Sequence, residues 1–588
     1  LTEKEKSFLW HGNGNFTGID GFFRIVDENQ YKIQYRGIKA RYLGKTVCPD
    51  CHGNRLRAEA MYVKINGKTI ADLVKMPVNE LSVWMKGLPD HFTETEKKIS
   101  QRLLTEITSR LSFLSDVGLG YLTLDRLSNS LSGGESQRIN LATSLGSALV
   151  GSLYILDEPS IGLHQRDTDR LIGVLRKLQN IGNTVVVVEH DEDIIRSSDY
   201  IIDVGPEAGR LGGEIIYAGP TSNLDKAADS YTLKYLDGRM NIPVPKKRRK
   251  SSRHITVKGA SEHNLKNIDV RFPLGVMTVV TGVSGSGKST LVRDILFKAL
   301  RRQLEETGDA PGAFRSLSGD LNSITSVEFV DQNPIGKSSR SNPATYLKAY
   351  DEIRRLFADQ QAAVQMDMTP AHFSFNTDGG RCDECKGEGV LHIEMQFMAD
   401  ITIPCEACGG KRFKRDVLDV KYRDKNIYDV LEMTVDEAID FFSEANATTE
   451  SRIVNRLRPL QNVGLGYIKL GQSSSTLSGG ENQRVKLAYY LGTDNISPTL
   501  FIFDEPTTGL HFHDIHTLLK SFEMLLAKGH SIIIIEHNMD VIKTADHVID
   551  IGPEGGDAGG MIVAEGTPED IAANPNSYTG RYLRDKLI

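Results

Sequence analysis

The 588-residue sequence contains the same five blocks twice, in the same order, four of them at a spacing of 346 or 347 residues and one at 357. A sequence that repeats itself in this way predicts two copies of one structural unit. The repeated pairs are Cys48–Arg55 with Cys405–Arg412, Val117–Tyr121 with Val463–Tyr467, Leu131–Glu135 with Leu477–Glu481, Ile155–Pro159 with Ile502–Pro506, and Val188–His190 with Ile535–His537.

One further block has no partner. Gly282-Val-Ser-Gly-Ser-Gly-Lys-Ser289 occurs only in the second half, and at the same spacing its counterpart would fall before Leu1. We therefore expect that this chain lacks the front of its first half. The halves meet near Asn241–Arg253, where two prolines and the basic run Lys246–Lys250 predict an exposed linker.

Short apolar runs that end at polar residues indicate the fold class. Runs of this kind are typical of strands that are buried on both faces of a parallel sheet. They are Leu153–Leu156, Val185–Val188, Val276–Val280, Leu500–Phe503 and Ile532–Ile535. The segments Gln137–Leu149 and Gln483–Leu491 follow Ser-Gly-Gly and are predicted to be helices. Alternating strands and helices predict an α/β fold.

The unpaired block matches the pattern of a phosphate-binding loop, with an apolar run before it and a predicted helix, Thr290–Leu300, after it. Glycines let backbone N–H groups point at phosphates, Lys288 adds a positive charge, and the Ser289 hydroxyl can bind Mg²⁺. The predicted phosphate-binding residues are Gly282, Val283, Ser284, Gly285, Ser286, Gly287, Lys288, Ser289 and Thr290.

Two acidic pairs and two glycine-rich helix starts supply the other groups that a nucleotide-binding site needs. Asp157-Glu158 and Asp504-Glu505 each end an apolar run, where the first carboxylate suits Mg²⁺ and the second can polarise an attacking water. Ser132–Glu135 and Ser478–Glu481 each open a predicted helix, whose exposed N–H groups and dipole favour an anion.

The six cysteines form three C-x-x-C pairs. In a chain without a secretory signal, such pairs favour zinc over disulfides and indicate a reducing cytoplasm. The spacing of Cys382, Cys385, Cys405 and Cys408 predicts a structural zinc site, because four thiolates leave no open position for catalysis. The segment Val390–Pro404 between these pairs is predicted to form a hairpin. Cys48 and Cys51 are half a site, and we predict no zinc there.

In this arrangement the sequence resembles ABC-type ATPases, which implies ATP, Mg²⁺ and two heads that close on each other. The resemblance implies that Glu505 places the water, that His537 lies near the γ-phosphate, that Gln332 senses Mg²⁺ and that Asp504 binds Mg²⁺. It further implies that Ser132, Gly133, Gly134 and Glu135 close on the phosphate loop of the second half, and that the chain binds one nucleotide. No role is predicted for His164, His511 or His513.

A zinc module between phosphate loop and signature, within a duplicated ABC ATPase, resembles the UvrA family of DNA damage-sensing ATPases. The resemblance runs from about Trp10 to the end and includes Asn333–Thr345, Phe373–Cys382 and Glu394–Met398. It implies two tandem ABC-type ATPase heads with inserted helical and zinc-binding signature modules. The implied regions are 1–47 (remnant of an insertion domain and connector), 48–110 (signature module I with half a zinc motif), 111–240 (rest of head I), 241–254 (basic linker), 255–335 (phosphate-loop core of head II), 336–460 (signature module II with the zinc site) and 461–588 (rest of head II).

The resemblance implies a DNA-binding ATPase of nucleotide excision repair that recognises damaged double-stranded DNA and loads UvrB through a domain mostly missing here. It implies a homodimer that cuts no DNA itself. Because the net charge is −7, DNA contact must depend on local basic patches. The candidate DNA-contacting residues are Lys337, Arg340, Arg381, Lys411, Arg412, Lys414 and Arg415.

Four other functions fit parts of the sequence. A UvrA-like paralogue that confers resistance to DNA-binding drugs would share nearly all of these motifs. An ABC transporter ATPase fits both heads, but the sequence has no 18-residue apolar run and transporters lack the zinc insert. A chromosome-maintenance ATPase needs a long coiled coil, which Ser289–Leu477 lacks. A zinc-scaffolded binding module without ATPase activity is disfavoured by the presence of Lys288 and Glu505.

Overall fold

A computed structural model describes residues 2–14, 16–30, 32–42, 46–128, 131, 133–146, 150–222, 224, 229–306, 308–336, 340–393, 395, 401–445, 447–493 and 497–587. The chain divides into two units, Leu1–Met76 and Pro77–Ile588. The first unit is helical, and the second contains every described strand, which confirms the predicted α/β class. Among the described residues, no helix combines the length and the apolar character that crossing a bilayer requires.

The strands are β1 (Leu153–Asp157), β2 (Thr184–Val188), β3 (Tyr200–Gly205), β4 (Glu214–Pro220), β5 (His254–Ala260), β6 (Ile268–Pro273), β7 (Met277–Thr281), β8 (Ser316–Gly319), β9 (Ser326–Val330), β10 (Val390–Ile393), β11 (Ile401–Pro404), β12 (Thr499–Asp504), β13 (Ser531–Ile535), β14 (His547–Gly552) and β15 (Met561–Gly566).

The α-helices of the first unit are α1 (Glu3–His11), α2 (Gly18–Glu28), α3 (Ile33–Tyr42) and α4 (Ile70–Val74). Those of the second unit are α5 (Val78–Gly87), α6 (Glu94–Asp116), α7 (Gly133–Gly146), α8 (Gln165–Asn180), α9 (Glu192–Ser197), α10 (Tyr231–Leu236), α11 (Lys298–Glu305), α12 (Pro343–Tyr346), α13 (Ala349–Ala358), α14 (Gln361–Gln365), α15 (Arg415–Asp419), α16 (Ile427–Glu432), α17 (Val435–Ser443), α18 (Thr448–Asn462), α19 (Gly479–Gly492), α20 (Phe512–Ala527), α21 (Met539–Thr544), α22 (Pro568–Ala573) and α23 (Tyr578–Leu583).

The second half is built on one six-stranded sheet in the order β15-β14-β7-β13-β12-β9. All neighbours are parallel except β14 and β15. Strand β7 lies between β13 and β14 and leads into the phosphate loop, which continues as a π-helical stretch, Thr290–Phe297, and then as α11. A three-stranded antiparallel sheet, β6-β5-β8, accompanies it. The parallel order places the carboxyl ends of β7, β9, β12 and β13 at one edge, where ligands of such sheets bind.

The first half repeats only part of this sheet. Strands β1 and β2 form a parallel pair, and β3 and β4 form a separate antiparallel pair. Their counterparts in the second half, β12–β13 and β14–β15, are joined by β7 into one sheet. Within the described residues the first half has no strand equivalent to β7, so its two pairs remain separate sheets.

The prediction of strands buried on both faces is correct for β7 and β13, and for β12 except at its last residue. It is wrong for β1 and β2, in which residues alternate between half-buried and exposed. Ile155 is 68% exposed, whereas its counterpart Ile502 is fully buried. The reason is that the phosphate-loop helix covers this face in the second half, where Leu291 packs in the same cluster as Ile502.

Both signature segments form helices, as predicted. They are α7 and α19, each starting at the first glycine of Ser-Gly-Gly-Glu. The predicted hairpin is also present, as the antiparallel pair β10–β11. Residues 147–149 of the first helix prediction lie outside the described residues.

The basic run in the predicted linker is not free in solution. The guanidinium of Arg248 donates to the carbonyl oxygen of Ala545 at 2.8 Å and pairs with Glu569 at 2.7 Å. Arg249 donates its backbone N–H to the buried carboxylate of Asp546 at 2.8 Å. These bonds fix the linker along the surface of the second half.

Candidate active site and metal centre

The phosphate loop has the backbone conformation that its glycines predict. Gly282 has φ +130°, and a side chain there would collide with the carbonyl oxygen of Ile551, 1.9 Å from the position of a Cβ. The Lys288 ammonium is buried and donates to the carbonyl oxygens of Gly282 and Val283, at 3.1 and 2.9 Å. Burial lowers the pKa of Lys288 to about 8. The Lys288 ammonium therefore lies within the loop, and an anion bound next to it would stabilise its positive charge.

The predicted catalytic residues meet at the carboxyl ends of β9, β12 and β13. Glu505 follows β12, and its backbone N–H donates to the carbonyl oxygen of Ile535 in β13 at 3.0 Å. Gln332 follows β9, and its amide nitrogen donates to the carbonyl oxygen of Glu505 at 3.2 Å. His537 follows β13, is buried, and its Nδ1 has no hydrogen-bond partner among the described residues. A buried nitrogen without a partner fits a position that awaits a ligand.

Glu505 is held in a strained and desolvated state. Its φ is +46°, a left-handed conformation that non-glycine residues rarely adopt. Burial, reinforced by the charges of Asp504 and Glu536, raises the pKa of Glu505 to about 7. A carboxyl with this pKa changes charge near neutral pH, which suits a group that orients or deprotonates water.

The first half holds the same groups in a more open setting. Glu158 has φ +44°, and its carboxylate lies 3.8 Å from Nε2 of His190. Their side chains are 26% and 37% exposed. Burial raises the pKa of Glu158 as well. The 588 residues contain no second sequence with the phosphate-loop pattern.

The loop that follows β1 lies against the active site of the second half. A Cβ on Gly162 would lie 3.1 and 3.3 Å from the two carboxylate oxygens of Glu505. The hydroxyl of Ser284, in the phosphate loop, donates to the carbonyl oxygen of Gly162 at 3.3 Å. The first half therefore completes the surroundings of Glu505.

Tyr121 contacts both motifs of the predicted pairing between the first signature and this phosphate loop. Tyr121 donates its hydroxyl proton to the Glu135 carboxylate at 2.5 Å. The Tyr121 ring packs on the phosphate loop, since a Cβ on Gly285 would lie 2.6 Å from a ring carbon. Ser132 lies outside the described residues, and the site of a nucleotide between the two motifs is a prediction.

Two histidines for which the sequence predicted no role take part in this arrangement. His164 ends the loop after β1, and its ring lies 6.1 Å from that of His537 in the second half. His511 ends the equivalent loop after β12, and its ring lies 6.3 Å from that of His190. The two histidines are equivalent in the repeat and follow the two Asp-Glu pairs at the same spacing, which is the sequence signal for their shared role.

The four predicted zinc ligands form one cluster. The Sγ–Sγ distances are 3.9 Å for Cys382–Cys405 and 3.7 Å for Cys385–Cys408, and all four sulfurs lie within 4.8 Å of one another. A zinc–sulfur bond of about 2.3 Å separates tetrahedral ligands by about 3.8 Å, so the cluster fits zinc. Four thiolates at this spacing would repel one another without a cation between them.

Within the described part of the chain, this is the only group of three or more Cys, His, Asp or Glu ligands that could hold a metal. Cys48 is exposed and Cys51 is half-buried, in the first unit. The prediction that this pair binds no zinc stays a prediction.

Six of the seven candidate DNA-contacting residues are described by the structure, and they divide into two groups. Lys411 and Arg415 are exposed and have no ion-pair partner among the described residues. Four others are engaged: Arg340 donates to the carbonyl oxygen of Lys386 (3.1 Å), Arg381 pairs with Asp378 (2.6 Å), Lys414 pairs with Asp383 (2.9 Å), and the Arg412 guanidinium lies 5.9 Å from the Phe375 ring centre. Lys337 lies outside the described residues. Lys411 and Arg415 are therefore the strongest candidates.

Comparisons with known proteins agree on one kind of relative. The chain is 52% identical over 548 residues to the UvrABC system protein A of Clostridium perfringens, covering 93% of this chain and 58% of that protein. It is 52% identical over 592 residues to the protein of the same name in Aquifex aeolicus, covering 100% of this chain and 63% of the relative. The chain thus spans about three fifths of the length of these curated relatives. No protein-family model matches it.

A solved structure extends the agreement to the fold. The crystal structure of UvrA2 from Deinococcus radiodurans superposes with a TM-score of 0.88 at 43% sequence identity. The match covers 96% of this chain and 69% of the solved chain.

Proposed function

Because the chain belongs to the UvrA family, we propose that it hydrolyses ATP and couples hydrolysis to the recognition of damaged double-stranded DNA in nucleotide excision repair. The proposal depends on one observation: residues from both halves of the chain lie around the Glu505 carboxylate. Gly162 of the first half faces this carboxylate, and its carbonyl oxygen accepts a hydrogen bond from the phosphate loop of the second half. Because the site contains residues of both halves, its geometry depends on whether the halves are closed on each other.

Each residue of this site has a role that follows from its place. The phosphate-loop N–H groups and Lys288 bind the β- and γ-phosphates. Ser289 and Asp504 would hold Mg²⁺, which would supply positive charge next to the transferred phosphoryl group. Glu505 orients the attacking water, and His537 donates to the γ-phosphate. Gln332 donates a hydrogen bond to the Glu505 backbone. A movement of the Glu505 loop would therefore move Gln332 and, through it, the signature module.

We propose that ATP binds at Gly282–Ser289, which is the one phosphate-loop sequence in these 588 residues. Signature residues Ser132 to Glu135 then close on the nucleotide bound by the second half. The Tyr121 hydroxyl, bonded to Glu135, supports this placement.

The zinc site orders the β10–β11 hairpin, next to which Lys411 and Arg415 bind DNA phosphates. Many different lesions must be accepted, so damage is sensed through the deformability of the duplex and not through base edges. The relatives are named as proteins of a UvrABC system, and we propose that this chain acts in such a system. We further propose that it works as a homodimer in the cytoplasm, hands damaged DNA to UvrB, and cuts no DNA itself.

Equilibrium titration and steady-state hydrolysis test this proposal. Lys288→Ala should lose ATP binding, whereas Glu505→Gln should retain ATP and stop turnover. Glu158→Gln is the matched control and should keep turnover. Equal loss of turnover from both Glu→Gln changes, or hydrolysis that damaged duplex DNA does not alter, would contradict the proposal.

A further inference from the structure

His164 uses both ring nitrogens and joins the two halves. It is fully buried, and burial lowers its pKa to about 3, so the ring is neutral. Nδ1 accepts the backbone N–H of Arg166 at 3.2 Å and so caps the start of α8. The proton of the neutral ring therefore resides on Nε2. Nε2 lies 3.0 Å from Oγ1 of Thr579 in α23 of the second half and donates to it.

The hydrogen-bond chain continues to a buried carboxylate. The Thr579 hydroxyl donates to Oδ1 of Asp550, at 3.2 Å, and Ser577 donates to the other carboxylate oxygen at 2.6 Å. Asp550 lies in β14, next to the phosphate-loop strand β7. The relay from His164 to Asp550 thus fixes the end of the first-half loop to the central sheet of the second half.

The same relay occurs a second time, in the opposite direction. Nδ1 of His511 accepts the backbone N–H of His513 at 3.2 Å, and Nε2 lies 3.1 Å from the hydroxyl of Thr232 in the first half. Thr232 donates to Asp203 at 2.9 Å, and Ser230 donates to the same carboxylate. The two relays occupy equivalent positions of the repeat.

The anchored loop contacts the groups that act on ATP. Between Glu158 and His164 it carries Gly162, which faces the Glu505 carboxylate, and His164 itself packs edge-on against His537. A loop fixed at both ends confines these two side chains, and a shift of about 1 Å in such groups can lower turnover up to a hundredfold.

We propose that His164, through its hydrogen bond to Thr579, is a positioning residue for ATP hydrolysis by the second-half site. The inference rests on the proposed function, because it assigns the catalytic water to Glu505. The mirror relay of His511 anchors the far end of the loop that begins at Glu505, whose start is fixed separately by the bond from the Glu505 N–H to the carbonyl oxygen of Ile535.

Substitution at Thr579 tests the relay without removing the helix cap that His164 provides. Thr579→Val keeps the shape and loses the hydroxyl; it should lower kcat at least tenfold and leave KM within about twofold, because the phosphate-binding groups are unchanged. Thr579→Ser should restore kcat. Thr232→Val removes the mirror bond at a similar structural cost and should leave kcat within about twofold.

Amide hydrogen exchange gives a readout that needs no turnover. Thr579→Val should speed exchange in residues 158–164 and leave residues 509–511 unchanged, whereas Thr232→Val should speed exchange in residues 509–511 and leave 158–164 unchanged. Equal loss of kcat in both valine variants, no rescue by serine, or unchanged exchange at 158–164 in Thr579→Val would overturn the inference. If the unmodified protein fails to hydrolyse ATP, the proposed function fails, and exchange at 158–164 still decides whether the relay orders the loop that faces Glu505.

Discussion

A methyl group added at Gly162 should disturb catalysis without disturbing nucleotide binding. The Cβ of Gly162→Ala would lie 3.1 and 3.3 Å from the Glu505 carboxylate oxygens. Contacts of this length force one partner to move by a few tenths of an ångström. The Glu505 carboxylate faces Gly162 directly, so the displacement changes the position from which it orients water.

The repeat supplies a matched control. Gly509 has φ +68°, against +66° for Gly162, and a Cβ there would lie 3.3 and 3.4 Å from the Glu158 carboxylate. Alanine in the left-handed region costs about 1–2 kcal/mol at either position. Gly162→Ala and Gly509→Ala should therefore lower the thermal midpoint by similar amounts, and any difference between them in turnover reports on Glu505.

We expect Gly162→Ala to lower kcat about tenfold, which corresponds to about 1.4 kcal/mol of transition-state stabilisation. Gly509→Ala should change kcat by less than about twofold. Steady-state hydrolysis at saturating ATP and equilibrium binding of a non-hydrolysable analogue measure the two effects. Full turnover in Gly162→Ala, or equal losses in both variants, would refute the argument that the first-half loop confines Glu505.

Three further predictions concern metal, DNA and pH. Metal analysis should find one zinc per chain, and Cys405→Ser should release it and increase proteolysis of the β10–β11 hairpin; two zincs, or none in a folded protein, would contradict this. Replacing Lys411 and Arg415 together should flatten the slope of log K against log salt for duplex DNA by about 0.9 per lost phosphate contact. The control Lys414→Ala, which removes an ion-paired lysine, should change this slope less. An unchanged slope in the double variant would exclude phosphate contacts by Lys411 and Arg415. Turnover should rise as pH increases through about 7, because the carboxyl of Glu505 must lose its proton to act on water; a flat profile across this range would show that its protonation does not limit the rate.

Much of the site could be predicted from the sequence, because its chemistry depends on short motifs. The phosphate loop, the acidic pairs and the four cysteines each lie within a few residues, and local geometry brings each motif together. Burial could not be predicted in the same way. Ile155 and Ile502 occupy equivalent positions in near-identical strands, yet one is exposed and the other buried, because burial depends on Leu291 and its neighbours far along the chain.

Contacts between the halves were also beyond reach from the sequence. The hydrogen bond from His164 to Thr579 joins residues 415 positions apart, and no local sequence pattern predicts it. Pairing is equally invisible for side chains on the surface. Lys414 and Arg415 are adjacent basic residues in the sequence, but Lys414 pairs with Asp383 and Arg415 is free of any ion pair among the described residues.

The two relays have a consequence for how this chain arose. His164 pairs with Thr579 while His511 pairs with Thr232, so each half offers the same donor and the same acceptor to the other. This is the contact pattern of two identical subunits across a twofold axis. We infer that the interface predates the duplication and once joined separate copies. Fusion made their association independent of concentration, which left each half free to diverge: Arg166 now pairs with Glu554 where the repeat carries His513.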